Sequence, residues 1–235
     1  MDVAAFGNQG RRKHMEDSVR MEHPYMGRQD WLYAGVCDGH TGDVVARRAS
    51  QELHGLLTKE FEIGQPFAKA LPVAFHAFDD AVAGEPGGTT ATTLLFVPGV
   101  VVVANVGDSE AVLVSQDGAS TLTTLHRVAN GAELQRVLAA GARISGPYAC
   151  LPTGKCLMTT RSLGDRTFRG IGIVPDPDVA IRPFTPGDEW VVAATDGVWD
   201  VVGPKEVGPL IGAAETAAEA ARRVVEAVLL RARTT

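Results

Sequence analysis

Apolar and polar positions along the chain sort into strand-like runs and helix-like stripes. Residues 31–37 read WLYAGVC, rich in aromatic and branched side chains, and predict a strand that closes on the turn signal Asp38-Gly39. A shorter strand is expected before it at 3–6, VAAF. From 43 to 61, Val44, Val45, Ala49, Leu53, Leu56 and Leu57 recur at helical spacing. A second helix is expected from about 68 to 83, with Pro72 tolerable only near its first turn. Residues 84–88 then form a loop. From 89 to 125 the segments TTATTLLFV, VVVVANV, EAVLVS and STLTTL, separated by PG, GDS and DG turn signals, predict an antiparallel meander. GAELQRVLAAG (131–141) predicts a short helix capped by Gly141, and KCLMTT and EWVVAAT predict further strands. Helices are expected over 204–211 and 214–232, the second with Ala217, Ala221, Val224, Val225 and Val228 as its apolar stripe.

No segment repeats at a period of 20–50 residues and no low-complexity linker divides the chain, so residues 1–235 are expected to form one domain. Strands and helices are grouped, which predicts an α+β fold with helices outside antiparallel sheet, not a doubly wound parallel one. With 45% apolar residues the 235-residue chain can fill a core. A formal charge of -6 offers no general attraction to nucleic acid or anionic lipid. Cys37, Cys150 and Cys156 are odd in number and lack CxxC spacing, so neither a disulfide framework nor a zinc site is expected, and a reducing cytosol is. The most apolar stretch, 94–106, is cut by Pro98-Gly99 and is too short for a membrane span; the opening MDVAAFGNQG has no leader pattern.

Candidate chemistry changes this picture. Two apolar runs break at Asp-Gly, in VCDGH (36–40) and VVAATDGVWD (191–200), and charged groups gather beside them in RRKHMED (11–17) and NVGDSE (105–110). Clustered carboxylates repel unless a cation neutralises them. Oxygen donors without cysteine or paired histidine suit Mg²⁺ or Mn²⁺, and two such ions would activate a bridging water for attack on phosphorus. Arg12 offers a bidentate grip on phosphate, and His40 titrates in the range of a general acid. Taken singly, each Asp-Gly is more readily a turn, His40 a satisfied polar histidine and residues 11–13 a solvated patch. Their co-occurrence outweighs those readings, except at Asp108 and Asp165, where a turn or structural role is as good as a chemical one.

In order along the chain stand GRRKHMED (10–17), DGHTG (38–42), GTTA (88–91), NVGDSE (105–110), ELQRVLAAGA (133–142), TRSLGD (160–165) and DGVWD (196–200). This series resembles the metal-dependent protein serine/threonine phosphatases of the PP2C (PPM) family. The resemblance implies a central antiparallel β-sandwich flanked by helices, with two Mg²⁺ or Mn²⁺ ions in a cleft at one end. Asp38 would bridge the ions, the Gly39 carbonyl would bind one and Asp196 the other. Glu16 and Asp17 would lie near them, acting directly or through water. Arg12 would hold substrate phosphate and His40 would be the acid.

The chain departs from that pattern in three places. Leu125-His126 stands where the family has Asp-His, which removes a ligand of an accessory third ion. Glu110 replaces the arginine of GDSR. No aspartate follows Asp200, so the expected domain lacks the family's last strand, with its Asp-Asn pair. These departures leave an inactive relative that binds a partner as the alternative to an enzyme. A covalent aspartyl phosphatase centred on Asp176 in IVPDPDVA is disfavoured, because Pro175 and Pro177 spoil a buried parallel strand. The expected partner is a phosphoprotein, with no nucleic acid and no membrane. The expected state is a monomer in the cytoplasm, with the nucleus as the alternative compartment.

Overall fold

A computed structural model describes residues 1–233. Its elements begin with β1 (Asp17–Glu22), β2 (Leu32–His40), α1 (Val44–Glu62), α2 (Phe67–Ala81), β3 (Gly88–Thr89), β4 (Ala91–Val97), β5 (Val100–Val106), β6 (Glu110–Ser115) and β7 (Gly118–Thr121). There follow α3 (Gly131–Ala139), β8 (Arg143–Ser145), β9 (Tyr148–Cys150), β10 (Cys156–Leu157), β11 (Leu163–Gly164), a 3₁₀ turn (Arg166–Ile171), β12 (Asp178–Pro183) and β13 (Asp188–Ala194). The chain then makes α4 (Asp196–Trp199), α5 (Pro204–Ile211) and α6 (Ala217–Arg231).

The larger sheet has the order β11-β3-β2-β4-β5-β12, with β1 on the other side of β2; the smaller runs β13-β6-β7. Every ladder between these strands is antiparallel. Between the two sheets Ala34, Leu94, Val101 and Val103 meet Ala111, Val191 and Ala193. On the outer face of the larger sheet, Val45, Ala49, Leu53 and Leu57 of α1 and Leu71, Phe75 and Phe78 of α2 pack against Tyr33, Cys37, Leu95 and Val102. On the outer face of the smaller sheet, Val112 and Val114 are covered by Val207 and Ile211 of α5 and Ala220 and Val224 of α6. The layers are therefore helices, sheet, sheet, helices, which gives the α+β sandwich that the grouped pattern predicted. A side module of α3, the β8-β9-β10 sheet and the 3₁₀ turn has its own small core around Val137, Ala149, Phe168 and Ile173.

Several local expectations are corrected. Residues 3–6 form no strand: no sheet edge meets them and Phe6 is 46% exposed. The first strand is instead β1, whose polar DSVRME the pattern passed over. Asp38-Gly39 is not a turn but the continuation of β2, because β1 and β3 pair with it to its end. The meander breaks at the GDS segment. Gly107, at φ +100, fits there because a Cβ would meet Thr90 at 2.5 Å, and β6 crosses to the other sheet instead of folding back on β5. Pro72 lies in the second turn of α2, beyond the first turn allowed for it. Finally, Cys150 and Cys156 are bonded as a disulfide, because the β9–β10 register sets them directly opposite with Cα atoms 4.0 Å apart.

Candidate active site

Strand alternation decides which side chains meet at the end of the sandwich. Asp38 and His40 share the β2 face that carries Ala34 into the space between the sheets, so the apolar interior ends in polar groups. The antiparallel register places Asp17 directly across from Asp38, an unfavourable cross-strand pair of like charges. From the smaller sheet, β13 delivers Thr195, whose hydroxyl donates to Asp17 Oδ2 at 3.0 Å, and then Asp196 at the start of α4. The Asp38 backbone is fixed from both sides: its N–H donates to Thr90 Oγ1 and its carbonyl accepts from Thr89 Oγ1, each at 3.0 Å.

The electrostatics follow from this crowding. Burial pushes the Asp38 carboxyl up to about 9, reinforced by the charges of Asp17, Asp196 and Asp108 and by its contact with Asp196. Burial also raises Asp17, against hydrogen bonds from Thr195 and Asp38. Asp38 therefore keeps its proton at neutral pH unless a cation joins it. Its hard oxygen donors fit Mg²⁺ or Mn²⁺. Among the described residues, however, no three His, Cys, Asp or Glu side chains are gathered as a metal-holding group.

The neighbouring loop is held tightly. Glu16 accepts from Gly39 N–H through its carbonyl at 3.2 Å and from Gly42 N–H through Oε1 at 2.7 Å. A Cβ on Gly39 would stand 2.6 Å from that Glu16 carbonyl, so only glycine fits. His40 Nε2 bonds Asp165 Oδ2 at 2.6 Å. Burial pulls the His40 imidazolium down, but the hydrogen bond and charge of Asp165, with Asp108 and Glu16, leave it raised overall. Asp165 adopts a left-handed backbone, φ +50, and lies where Gly88 has no side chain. Arg12 is exposed in a turn on Gln9 and lies within electrostatic reach of Asp17. Beside it a surface hollow of about 440 Å³ is lined by Gln9, Lys13, His14, Met15, Glu16, Gly42 and Asp43.

One participant had no signal in the sequence. Arg127 Nε donates to Asp108 Oδ2 at 2.7 Å, and its two terminal nitrogens reach Asp196 at 3.2 Å and Asp200 at 3.3 Å. Its neighbour His126 is fully buried; Nδ1 accepts from Gly107 N–H at 3.0 Å and Nε2 faces Asp178 at 3.2 Å, which locks the GDS segment. Asp108 is thus an arginine partner, and Asp165 is the partner of His40. Leu125 is part-exposed hydrocarbon at 36%, and Glu110 is buried with its carboxyl raised by desolvation. Asp176 faces His76 at 3.1 Å ahead of the antiparallel β12, which does not suit a phosphorylated aspartate on a parallel strand.

Three comparisons place these features among known proteins. The profile of the family described as Protein phosphatase 2C matches residues 1–235. "Probable protein phosphatase 2C 78" of Arabidopsis thaliana is 31% identical over 221 residues, which is 82% of this chain and 52% of that protein. "Protein phosphatase 2C homolog 3" of Schizosaccharomyces pombe is 35% identical over 188 residues, 72% of this chain and 43% of the relative. The chain spans about half the length of the curated relatives it matches. The crystal structure of serine-threonine phosphatase 2C from Toxoplasma gondii superposes with a TM-score of 0.87 at 20% identity, covering 99% of this chain and 92% of the other, and shows a shared fold.

Proposed function

The chain belongs to the protein phosphatase 2C family, and on that premise we propose that it is a metal-dependent phosphatase acting on phosphoserine and phosphothreonine in proteins. The observation that carries this reading is the crowding of half-buried Asp38 by Asp17 and Asp196, which raises its carboxyl, with His40 two residues further along the same strand paired to Asp165. Asp38 would be shared by about two Mg²⁺ or Mn²⁺ ions, with the Gly39 carbonyl on one, Asp196 on the other, and Asp17 and Glu16 adjacent. Bound there, the ions supply a water of lowered pKa as nucleophile.

The chain's own residues do the rest. Arg12 is free to grip phosphate oxygens, since among the described residues its guanidinium makes no ion pair, and the hollow beside Glu16 gives the substrate peptide room. His40 holds its Nε2 on Asp165, which leaves Nδ1 to hand a proton to the departing serine or threonine oxygen. Asp165 keeps the imidazole charged and oriented until then. Thr195 holds the Asp17 carboxylate through its hydroxyl, and Thr90 holds the backbone of Asp38 by accepting from its N–H.

The test is hydrolysis of p-nitrophenyl phosphate by the 235-residue chain across a Mn²⁺ titration, with EDTA and Asp196→Asn as controls. Saturable Mn²⁺-dependent turnover, lost in both controls, is expected. A folded chain with no activity, or Asp196→Asn with wild-type activity, would overturn the assignment.

A further inference from the structure

We propose that Arg127 is a built-in cation of this site, holding Asp108, Asp196 and Asp200 where an accessory divalent ion would otherwise be drawn. The inference rests on the two-ion reading above and concerns what lies beside those ions. Three different nitrogens of a single guanidinium meet three different carboxylates, at 2.7, 3.2 and 3.3 Å. Buried Glu110 lies within electrostatic reach of the same guanidinium. The backbone aims the side chain firmly. His126 N–H donates to the Gly107 carbonyl, Asn130 N–H donates to the Arg127 carbonyl, and Arg127 bridges Thr159. Leu125 supplies no oxygen donor to compete.

A guanidinium differs from an ion in that it is always charged, never exchanges and cannot be removed by a chelator. This chain therefore keeps one cation among its carboxylates at any metal concentration. Asp200 serves Arg127 and not a metal, and uptake stops at about two ions.

The experiment counts Mn²⁺ bound to the metal-stripped full chain, from the free-ion electron paramagnetic resonance signal, for wild type, Arg127→Ala and Asp200→Asn, with far-UV circular dichroism to verify folding. Wild type and Asp200→Asn are expected to saturate at the same count. Arg127→Ala is expected to take up a further, weaker ion and to melt at a lower temperature when metal-free. The ion count is the readout that a purely structural salt bridge would not move. A wild-type chain that binds an extra ion lost in Asp200→Asn would overturn the inference, as would an unchanged count in Arg127→Ala. Should Arg127→Ala fail to fold, the comparison of wild type with Asp200→Asn decides alone. Absence of any Mn²⁺ uptake by wild type would overturn the two-ion reading instead, while a gain of Mn²⁺ by Arg127→Ala would still uphold the role of Arg127.

Discussion

Gly39 is where the smallest chemical change meets the least forgiving surroundings. A methyl group there confronts backbone, the Glu16 carbonyl at 2.6 Å, and the Ala46 methyl at 3.0 Å, neither of which can rotate away. Gly39→Ala is expected to cost about 2 kcal/mol in urea denaturation by prying β1 from β2; wild-type stability would show that this register yields freely. His40→Ala should lose more turnover on alkyl phosphates than on p-nitrophenyl phosphate, whose leaving group needs little protonation. Equal losses would remove His40 from the role of acid. Asp38 and Asp196 could be picked out from the sequence because each precedes a glycine at the end of an apolar run, and Asp17 because it closes the charged segment RRKHMED. Arg127 could not, since LHRVANG has no distinguishing spacing and its three partners are reached only through the folded sandwich. Asp165 stayed undecided for the same reason, being 125 residues from His40.

Helices were easier to foresee than strand neighbours. The stripe of α1 determines which side is buried, whereas α6 buries Ala220, Val224 and Val228 and leaves the expected Ala217, Ala221 and Val225 on the flank; α3 ends at Gly141, φ +90, as expected. A period of two identifies a strand but not its partner, so the crossing of β6 and the pairing of β1 with β2 were not foreseeable. The disulfide was missed likewise, because it follows from the β9–β10 register and not from spacing. Reducing Cys150–Cys156, a link across 6 residues, should cost about 2 kcal/mol. It should leave the sandwich folded, since Ala149 of this hairpin packs in the separate small core around Val137, Phe168 and Ile173; global unfolding under dithiothreitol would contradict that independence. Within α3, burial pushes the Glu133 carboxyl up, but hydrogen bonds from Arg136, Arg161 and Thr160 outweigh it and hold the group at about 2. Its contribution to stability is thus fully present above about pH 4.5 and lost as pH falls toward 2. Glu133→Gln should be destabilising by about 3 kcal/mol at neutral pH, with the difference from wild type shrinking in acid.

The four layers place a cluster of repelling carboxylates at the mouth of an otherwise apolar sandwich. Asp38, raised to about 9 from an ordinary 3.8, binds its proton more tightly folded than unfolded. Its favourable contribution is complete below about pH 4 and is lost as pH rises through 9. The melting temperature of metal-free chain should therefore fall between pH 5 and pH 9, and saturating Mg²⁺ should restore most at the alkaline end. A pH-independent Mg²⁺ effect would show that the ion does not join Asp38. The face-to-face Asp17 and Asp38 also bear on how long the protein survives in a cell. Chains that have not captured ions spend more time open, and proteases act on open chains. Under the two-ion reading, the half-life of the protein becomes a gauge of free divalent cation, so that starvation for metal depletes the enzyme as well as silencing it.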